Sequence, residues 1–166
     1  FAEMKPVAEG SCVGFDLAVA NRTNDFGIRF TAALKLEKSG KYRFTLGSDD
    51  GSRLILDGKT IIDNDGVHPH QEKAADANLD AGWHDVMIDY MQGGGEWTLN
   101  VDIEGNGLAR QALGGLLTRE RKEAAQGTAA FAINPATVLM ISGLRRSRSC
   151  CYTMLIPGNI HRENPP

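Results

Sequence analysis

Short segments in which apolar and polar residues alternate run through residues 1–107. Side chains of a β-strand point to opposite faces in turn, so a period of two predicts strands with one buried face. Gly, Asn and Asp residues typical of turns separate the segments, and no helical period precedes residue 108. The predicted strands cover residues 28–36, 41–46, 53–56, 59–62, 73–79, 84–90 and 97–103. This pattern predicts an all-β fold, an antiparallel β-sandwich or barrel.

The turn between residues 53–56 and 59–62 consists of Asp57 and Gly58. Asp-Gly between two apolar runs is a strong signal for a two-residue hairpin in which both turn residues have positive φ. Glycine adopts positive φ without steric cost. We therefore predict a tight hairpin and assign Asp57 to structure before any role in metal binding.

The charge of the chain divides it into two zones. Residues 1–107 contain 10 Lys and Arg against 18 Asp and Glu, whereas residues 108–166 contain 8 against 3. This shift predicts a β domain over residues 1–107 and a tail or linker over residues 108–166. We expect the tail to be poorly structured or partly helical, with residues 116–126 as its helical segment, or to be the stump of a further domain.

Charge and hydropathy exclude two classes of partner. The formal net charge of −3 is unlike the basic face by which proteins bind phosphate backbones, so no nucleic acid is expected. No apolar run approaches the roughly 20 residues of a spanning helix, so no membrane span is expected. The sequence begins at Phe1 without a basic and then apolar leader, which predicts a processed chain or a fragment.

Three cysteines, Cys12, Cys150 and Cys151, show no spacing typical of a zinc site. Adjacent cysteines rarely bridge each other because the required geometry is strained. One of the adjacent pair could bond to Cys12, or all three could remain thiols. The sequence leaves these alternatives open.

The most unusual local feature is a pair of adjacent carboxylates, Asp49 and Asp50, between two predicted strands. Neighbouring carboxylates repel each other, and a hard cation such as Ca²⁺ would relieve that repulsion while taking six to eight oxygen ligands. The alternative is a solvated acidic turn in which Asp50-Gly51 serves backbone geometry alone.

Three ordered motifs lie at residues 40–59, 62–66 and 79–90, and the first of them contains this pair. They read GKYRFTLGSDDGSRLILDGK, IDNDG and LDAGWHDVMIDY. Their order resembles the PA14 domain family, and the similarity is strongest over residues 14–107. The resemblance implies a β-sandwich-like barrel of the kind found in secreted and cell-surface proteins, where it often binds carbohydrate.

In sugar-binding members of this family, two adjacent aspartates joined by a cis peptide hold Ca²⁺, and sugar hydroxyls complete its coordination. The resemblance places this metal site on Asp49 and Asp50. The family's further ligands, an Asn side chain and loop carbonyls, do not align residue by residue. Asn64, Asp65 and His68 are candidates for a further metal or glycan loop, because their polar segment could reach the same end of the barrel.

Aromatic side chains are candidates for stacking on sugar rings. Trp97 and Tyr90 each share a face with apolar residues and are therefore predicted to lie in the core. Trp83 follows the Gly82 turn and faces away from the apolar side of its strand. It is the candidate for sugar stacking.

No catalytic constellation is found in the sequence. His68, His70 and His84 are too scattered for a metal triad. Residues 93–95 are three glycines, interpreted as a turn between strands because no helix follows to bind phosphate. An enzyme is not expected.

The chain is shorter than long family members between Gly14 and Phe26, where an aromatic-rich segment would stand. Short PA14 domains of this kind resemble those embedded in large secreted bacterial proteins, ahead of c-type cytochrome or dehydrogenase regions. The segment around Cys150 and Cys151 lacks the CxxCH pattern of haem attachment.

Two functions follow as hypotheses. The first is a non-catalytic carbohydrate-binding module that binds a glycan or polysaccharide through Ca²⁺. The second is a structural or protein-interaction domain within a larger secreted enzyme or c-type cytochrome-like protein, with other domains of that parent as partners. Both place the chain outside the cell, in the periplasm or at the cell surface, on the strength of the resemblance.

Overall fold

The strands form two antiparallel sheets in a computed structural model that describes residues 4–118 and 149–157. The strand bounds, in chain order, are β1 Met4–Val13, β2 Phe26–Leu36, β3 Gly40–Asp49, β4 Ser52–Leu56, β5 Lys59–Asn64, β6 Gln71–Leu79, β7 Gly82–Gln92, β8 Thr98–Gly105, β9 Leu108–Ala112, β10 Leu117–Thr118 and β11 Ser149–Pro157. Short 3₁₀ turns cover Leu17–Val19 and Leu113–Leu116.

The larger sheet has the strand order β1-β11-β2-β7-β4-β5, with β10 also paired to β2. The smaller sheet has the order β6-β3-β8-β9. The longest ladder joins β2 to β7, from Phe26 opposite Gln92 to Leu36 opposite Gly82. Because neighbouring strands are antiparallel, the end of β3 lies at the same end of the sandwich as the starts of β4 and β8 and the ends of β5 and β7.

The core lies between the sheets and is built from one face of each alternating strand. Phe30, Leu54 and Ile88 from the larger sheet and Phe44 and Ile103 from the smaller sheet are fully buried. Burying one such side chain contributes about 1.5–3 kcal/mol relative to leaving it in water. The period of two thus determines which residues meet in the core.

The structure confirms the predicted all-β fold and the seven predicted strands, which are β2 to β8. Asp57 and Gly58 have φ of 49° and 80°, so the predicted hairpin with positive φ at both residues is confirmed. Tyr90 is buried, and Trp97 packs edge-on against Phe26 with ring centroids 5.6 Å apart. Both aromatic residues therefore serve the core, as predicted.

The expectation of a poorly structured tail is wrong for residues 108–118 and 149–157. These residues supply β9, β10 and β11, and β11 lies between β1 and β2 in the larger sheet. A boundary at Gly107 therefore does not separate the described residues into two structural units. The predicted helical segment 116–126 begins with the last residue of a 3₁₀ turn, Leu116, and continues into strand β10, and its remainder lies outside the described residues.

Local patterns missed these strands for a physical reason. β1 is largely exposed, so it carries little alternation, and β11 obtains its place only by pairing with strands far away in sequence. Long-range pairing leaves no local signal. In the described part of the chain, no helix is both long and apolar enough to cross a membrane.

Candidate functional site

The adjacent aspartates lie where the ends of several strands and two loops meet. Asp49 is the last residue of β3, and Asp50 follows it immediately before β4. The loop at residues 65–70 leaves the end of β5, and the loop at residues 93–97 leaves the end of β7. We call the residues of these two loops, together with Asp49 and Asp50, the acidic end. The peptide bond between Asp49 and Asp50 is cis, as the family resemblance implied.

Asp50 joins the two loops of the acidic end. Its side chain is buried, with the residue 3% exposed. Oδ1 accepts a hydrogen bond from the backbone N–H of His68 at 3.0 Å, and Oδ2 accepts one from the backbone N–H of Gly93 at 2.9 Å. Hydrogen bonds to a charged acceptor are stronger than neutral ones. Asp50 therefore fixes both loops relative to the end of β3.

Asp49 presents a different environment. Its residue is half-buried, and its carboxylate accepts no hydrogen bond from the described part of the chain. Its backbone carbonyl oxygen lies 2.6 Å from the hydroxyl of Tyr90, which is also 2.8 Å from Gln92 Oε1. Burial raises the pKa of Tyr90 far above its ordinary value, and the charges of Asp50 and Asp49 raise it further. The phenol thus remains a proton donor that holds the backbone of Asp49.

Gly51 is required by close packing at the acidic end. A Cβ atom at this position would lie 2.8 Å from Gly66 O and 2.9 Å from Gly66 N. Its own carbonyl oxygen accepts a hydrogen bond from Met91 N at 2.8 Å. The Asp-Gly step therefore lets the loop at residues 65–70 lie directly against the segment that carries the two aspartates.

A buried polar cluster in the adjoining ends of β3, β4 and β5 lies next to the acidic end. Ser48 Oγ and Ser52 Oγ are 2.6 Å apart, and Asn64 Nδ2 donates to Ser48 Oγ and to Gln71 O, each at 3.1 Å. The Oδ1 atom of Asn64 is buried and has no hydrogen-bond donor within the described residues. Asn64 thus lies at the expected end of the barrel, but as the last residue of β5 rather than in a loop.

His68 contributes its backbone to the site and not its ring. The ring nitrogens lie 2.9 Å from Pro69 O and 3.0 Å from Asn64 O. Both neighbours are acceptors, so the doubly protonated ring satisfies both, and hydrogen bonds to these carbonyls of Asn64 and Pro69 raise the pKa of His68. Both ring nitrogens of His68 are therefore directed at backbone carbonyl oxygens rather than at the aspartate pair.

Among the described residues, no hydrogen bond or ion pair joins Asp65 or Trp83 to the side chains of the aspartate pair. Asp65 forms an ion pair with Arg53 through Oδ2 and accepts from the N–H of Gly66 through Oδ1. Trp83 lies at the start of β7, the end of the sandwich opposite the acidic end, where Lys35 Nζ is 5.9 Å from its ring centroid. Sugar stacking on Trp83 would need a second site.

The donor set at the acidic end fits a calcium ion in part. A carboxylate has about four lone-pair positions, so Asp50 can still offer oxygen lone pairs beside its two N–H bonds. The Asp49 carboxylate and the orphaned Oδ1 of Asn64 are further oxygen donors of the kind that Ca²⁺ prefers. The described residues contain no group of three or more His, Cys, Asp or Glu able to hold a metal ion. Neutral oxygens would therefore have to complete the shell.

Sequence reasoning missed the backbone of residues 93–95 as part of the site. The three glycines do form a turn between strands, as interpreted, but the N–H of Gly93 also binds Asp50. A Cβ atom on Gly93 would lie 3.4 Å from Asp50 Oδ2. A run of three glycines at a strand end was the available signal, because such runs permit close backbone approach.

Comparison with known proteins shows which sequences and structures are similar. The sequence pattern described as "PA14 domain" matches residues 20–107. No curated protein matches the chain.

Three solved structures illustrate the likeness. An anti-sigma factor domain-containing protein from Clostridium clariflavum has 23% identity and a TM-score of 0.55, covering 64% of this chain and 37% of its own. The PA14 domain of the MpAFP antifreeze protein has 19% identity and a TM-score of 0.51, covering 57% of this chain and 52% of its own. A PA14 sugar-binding domain from an RTX adhesin has 28% identity and a TM-score of 0.47, covering 51% and 49%.

The first two likenesses establish the fold alone, because their identities are low. The adhesin domain superposes too little for its sugar binding to bear on this chain. The chain spans about half or less of the length of each of these three structures.

Proposed function

The chain belongs to the PA14 domain family, and from that premise we propose that it is a non-catalytic module that binds a glycan or polysaccharide with the help of Ca²⁺ at Asp49 and Asp50. The observation that carries the proposal is the contrast between the two carboxylates. Asp50 is committed to His68 N and Gly93 N, whereas Asp49 has no hydrogen-bond donor in the described chain. A carboxylate held half-exposed beside a fixed, buried one is available to a ligand.

The proposed metal would be held by Asp49 and Asp50, with Asn64 Oδ1 as a further oxygen donor. When bound, Ca²⁺ supplies open coordination positions that two neighbouring sugar hydroxyls can fill. The protein's contribution is to hold these donors in place before the ligand arrives. Tyr90 fixes the backbone of Asp49, and Asp50 fixes the two loops that border the site.

The exposed surface of the acidic end supports a ligand of mixed polarity. Val67, in the loop at residues 65–70, is 78% exposed. It stands one residue before the backbone N–H that binds Asp50. A sugar offers hydroxyls on its edge and C–H groups on its face, so an apolar side chain next to acidic oxygens complements both.

The non-catalytic part of the proposal rests on how the acid and base groups are engaged. Both oxygens of Asp50 accept backbone N–H groups, and both ring nitrogens of His68 face carbonyl oxygens. Neither group is placed to transfer a proton to a bound substrate. The family membership also leads us to propose a secreted or cell-surface location within a larger parent protein.

A second candidate is a structural or protein-interaction domain, and one observation favours it. Asp50 serves as a clamp between two loops through hydrogen bonds to two backbone N–H groups of the chain itself. In that reading the acidic pair only shapes the turn. The two candidates differ at Asp49. The metal site needs its carboxylate as a ligand, whereas the clamp does not use it.

Calcium titration with thermal melting separates the two candidates. A ligand that binds only the folded state stabilises it by about 2.7 kcal/mol at a concentration of 100 times its Kd. We expect calcium to raise the melting temperature of the wild type and to have little effect on Asp49→Asn, which keeps the side-chain shape but removes the charge. Asp80→Asn makes the same change at the opposite end of β7, and should respond like the wild type.

The glycan part needs its own measurement. A glycan array probed with calcium and again with chelator should show binding only in the first case, and Asp49→Asn should lose it. An unchanged melt at saturating calcium would refute the metal site and leave the interaction domain as the better candidate. Calcium stabilisation without any glycan signal would refute the glycan module while retaining the metal.

A further inference from the structure

The two ends of the described chain meet at a pair of sulfur atoms. Cys12 in β1 lies directly opposite Cys150 in β11, and their Sγ atoms are 2.9 Å apart. The Cα atoms of facing residues in antiparallel strands are about 4.5–5.5 Å apart, within the range of about 4.4–6.8 Å that a disulfide spans. An S–S bond is about 2.05 Å long, so a shift of less than about 1 Å brings the sulfurs to bonding distance.

We propose that Cys12 and Cys150 form a disulfide that fastens strand β1 to strand β11, with a small-molecule or protein disulfide as the oxidant. The register selects Cys150 over its neighbour. Adjacent residues of a strand point to opposite faces, so Cys151 faces away from the side on which Cys12 and Cys150 meet. The structure thereby decides a pairing that the sequence left open.

Exposure assigns the order of the chemical steps. Cys12 is half-buried, whereas Cys150 is 0% exposed. Burial raises the pKa of the Cys150 thiol, and its hydrogen bond with Cys12 raises it further. The thiolate is the attacking form of cysteine. Cys12 is therefore the thiol that meets the oxidant, and Cys150 is the resolving thiol.

The reaction balances as two successive exchanges. The Cys12 thiolate attacks one sulfur of the oxidant, its S–S bond breaks, and one thiolate leaves. Cys150 then gives up its proton to that thiolate and attacks Cys12 Sγ, which expels the second thiolate. This second thiolate takes up the proton that Cys12 released when it became the thiolate. The two protein thiols lose two electrons and become one disulfide, and the oxidant gains them and becomes two thiols.

The bond would act on an edge strand of the larger sheet. β1 is at the edge of the sheet and pairs only with β11 among the described strands. A cross-link between residues 12 and 150 also closes most of the chain into a loop, which restricts the unfolded state. The proposal rests on these contacts and not on the proposed calcium or glycan site.

The test uses the full chain equilibrated in buffers of reduced and oxidised glutathione. Thiols are alkylated under denaturing conditions, and the chain is digested without reductant for mass spectrometry. We expect a Cys12–Cys150 linked peptide lacking two hydrogen atoms, with Cys151 alkylated. The Cys151→Ser variant should form the same link, and it removes any ambiguity between the adjacent cysteines.

Melting curves give an independent readout. Reductant should lower the melting temperature of oxidised Cys151→Ser by roughly 5–10 °C, and it should leave Cys12→Ser unmoved. Cys12 is half-buried, so Cys12→Ser can be used as the control without the disulfide even if Cys150→Ser does not fold. A link to Cys151, glutathione retained on Cys12, or alkylation of all three cysteines after oxidation would each overturn the proposal.

Discussion

His84 Nδ1 lies 2.6 Å from Asp57 Oδ2, which ties the start of β7 to the hairpin between β4 and β5. The other ring nitrogen, Nε2, lies 2.9 Å from the carbonyl oxygen of Asp80. Both neighbours are acceptors, so the protonated ring donates to both. Burial lowers the pKa of His84, but the hydrogen bonds to Asp57 and Asp80, with their charges, outweigh it and leave the pKa raised.

The raised pKa of His84 predicts a pH dependence of stability. A group whose pKa is higher in the folded than in the unfolded state, where His titrates near about 6.5, stabilises fully below the unfolded value. That contribution is lost as the pH rises through the folded pKa. The free energy of unfolding in urea should therefore decrease over this window, and His84→Gln should reduce the decrease.

The ring of His68 contributes with the same sign, because its pKa is also raised. The free energy of unfolding of the double variant, His68→Gln with His84→Gln, should therefore change even less with pH. NMR titration of the ring protons reads each pKa directly. A folded pKa of His84 below that of an unfolded histidine would contradict the assignment.

The turn glycine Gly58 predicts a purely conformational effect. A Cβ atom there would have nothing within 4 Å, but its φ is 80°. Placing a side chain in this region costs about 1–2 kcal/mol. Gly58→Ala should lower the free energy of unfolding by about 1 kcal/mol. Gly115→Ala is the matched control, because its surroundings are equally open and its φ is not in that region. Equal losses in the two variants would remove backbone strain as the explanation.

Residues such as Asp57 and Gly58 show what a sequence can predict. Turn chemistry and alternation act over a few residues, so they predict β2 to β8 and the hairpin. For the acidic end, the sequence predicts the carboxylate side chains but not the backbone groups that bind them. The N–H groups of His68 and Gly93 that bind Asp50 are backbone groups, which every residue but proline carries, so no letter of the sequence identifies them.

The positions of strands β10 and β11 in the sheet predict that residues 119–148 can be removed. Both strands pair with β2, Thr118 lying opposite Ala33 and Cys151 opposite Thr31. The ends on either side of the removed segment are therefore close together in space. Replacing residues 119–148 with a short Gly/Ser linker should preserve cooperative melting and the far-UV circular dichroism of a β protein, since loop length costs little entropy. Loss of cooperative unfolding would show that those residues complete the fold.

The clamp formed by Asp50 predicts that the two adjacent aspartates contribute differently to the free energy of unfolding when calcium is absent. From the sequence alone, Asp50→Ala is expected to leave the metal-free fold almost unchanged, because it relieves repulsion. The structure reverses that expectation: Asp50 is buried, and its loss would leave His68 N and Gly93 N without an acceptor. Each hydrogen bond to a charged group contributes about 1.5–3 kcal/mol.

Asp50→Ala should therefore lower the free energy of unfolding in chelator by about 2 kcal/mol or more, with relaxation of the two loops offsetting part of the loss. Asp49→Ala should change it by about 0.5 kcal/mol, because its carboxylate accepts no hydrogen bond in the described chain. Urea denaturation of both variants in chelator measures the difference. If the two variants lose equal stability, Asp50 is no clamp, and if both gain stability, repulsion between the carboxylates governs the metal-free fold instead.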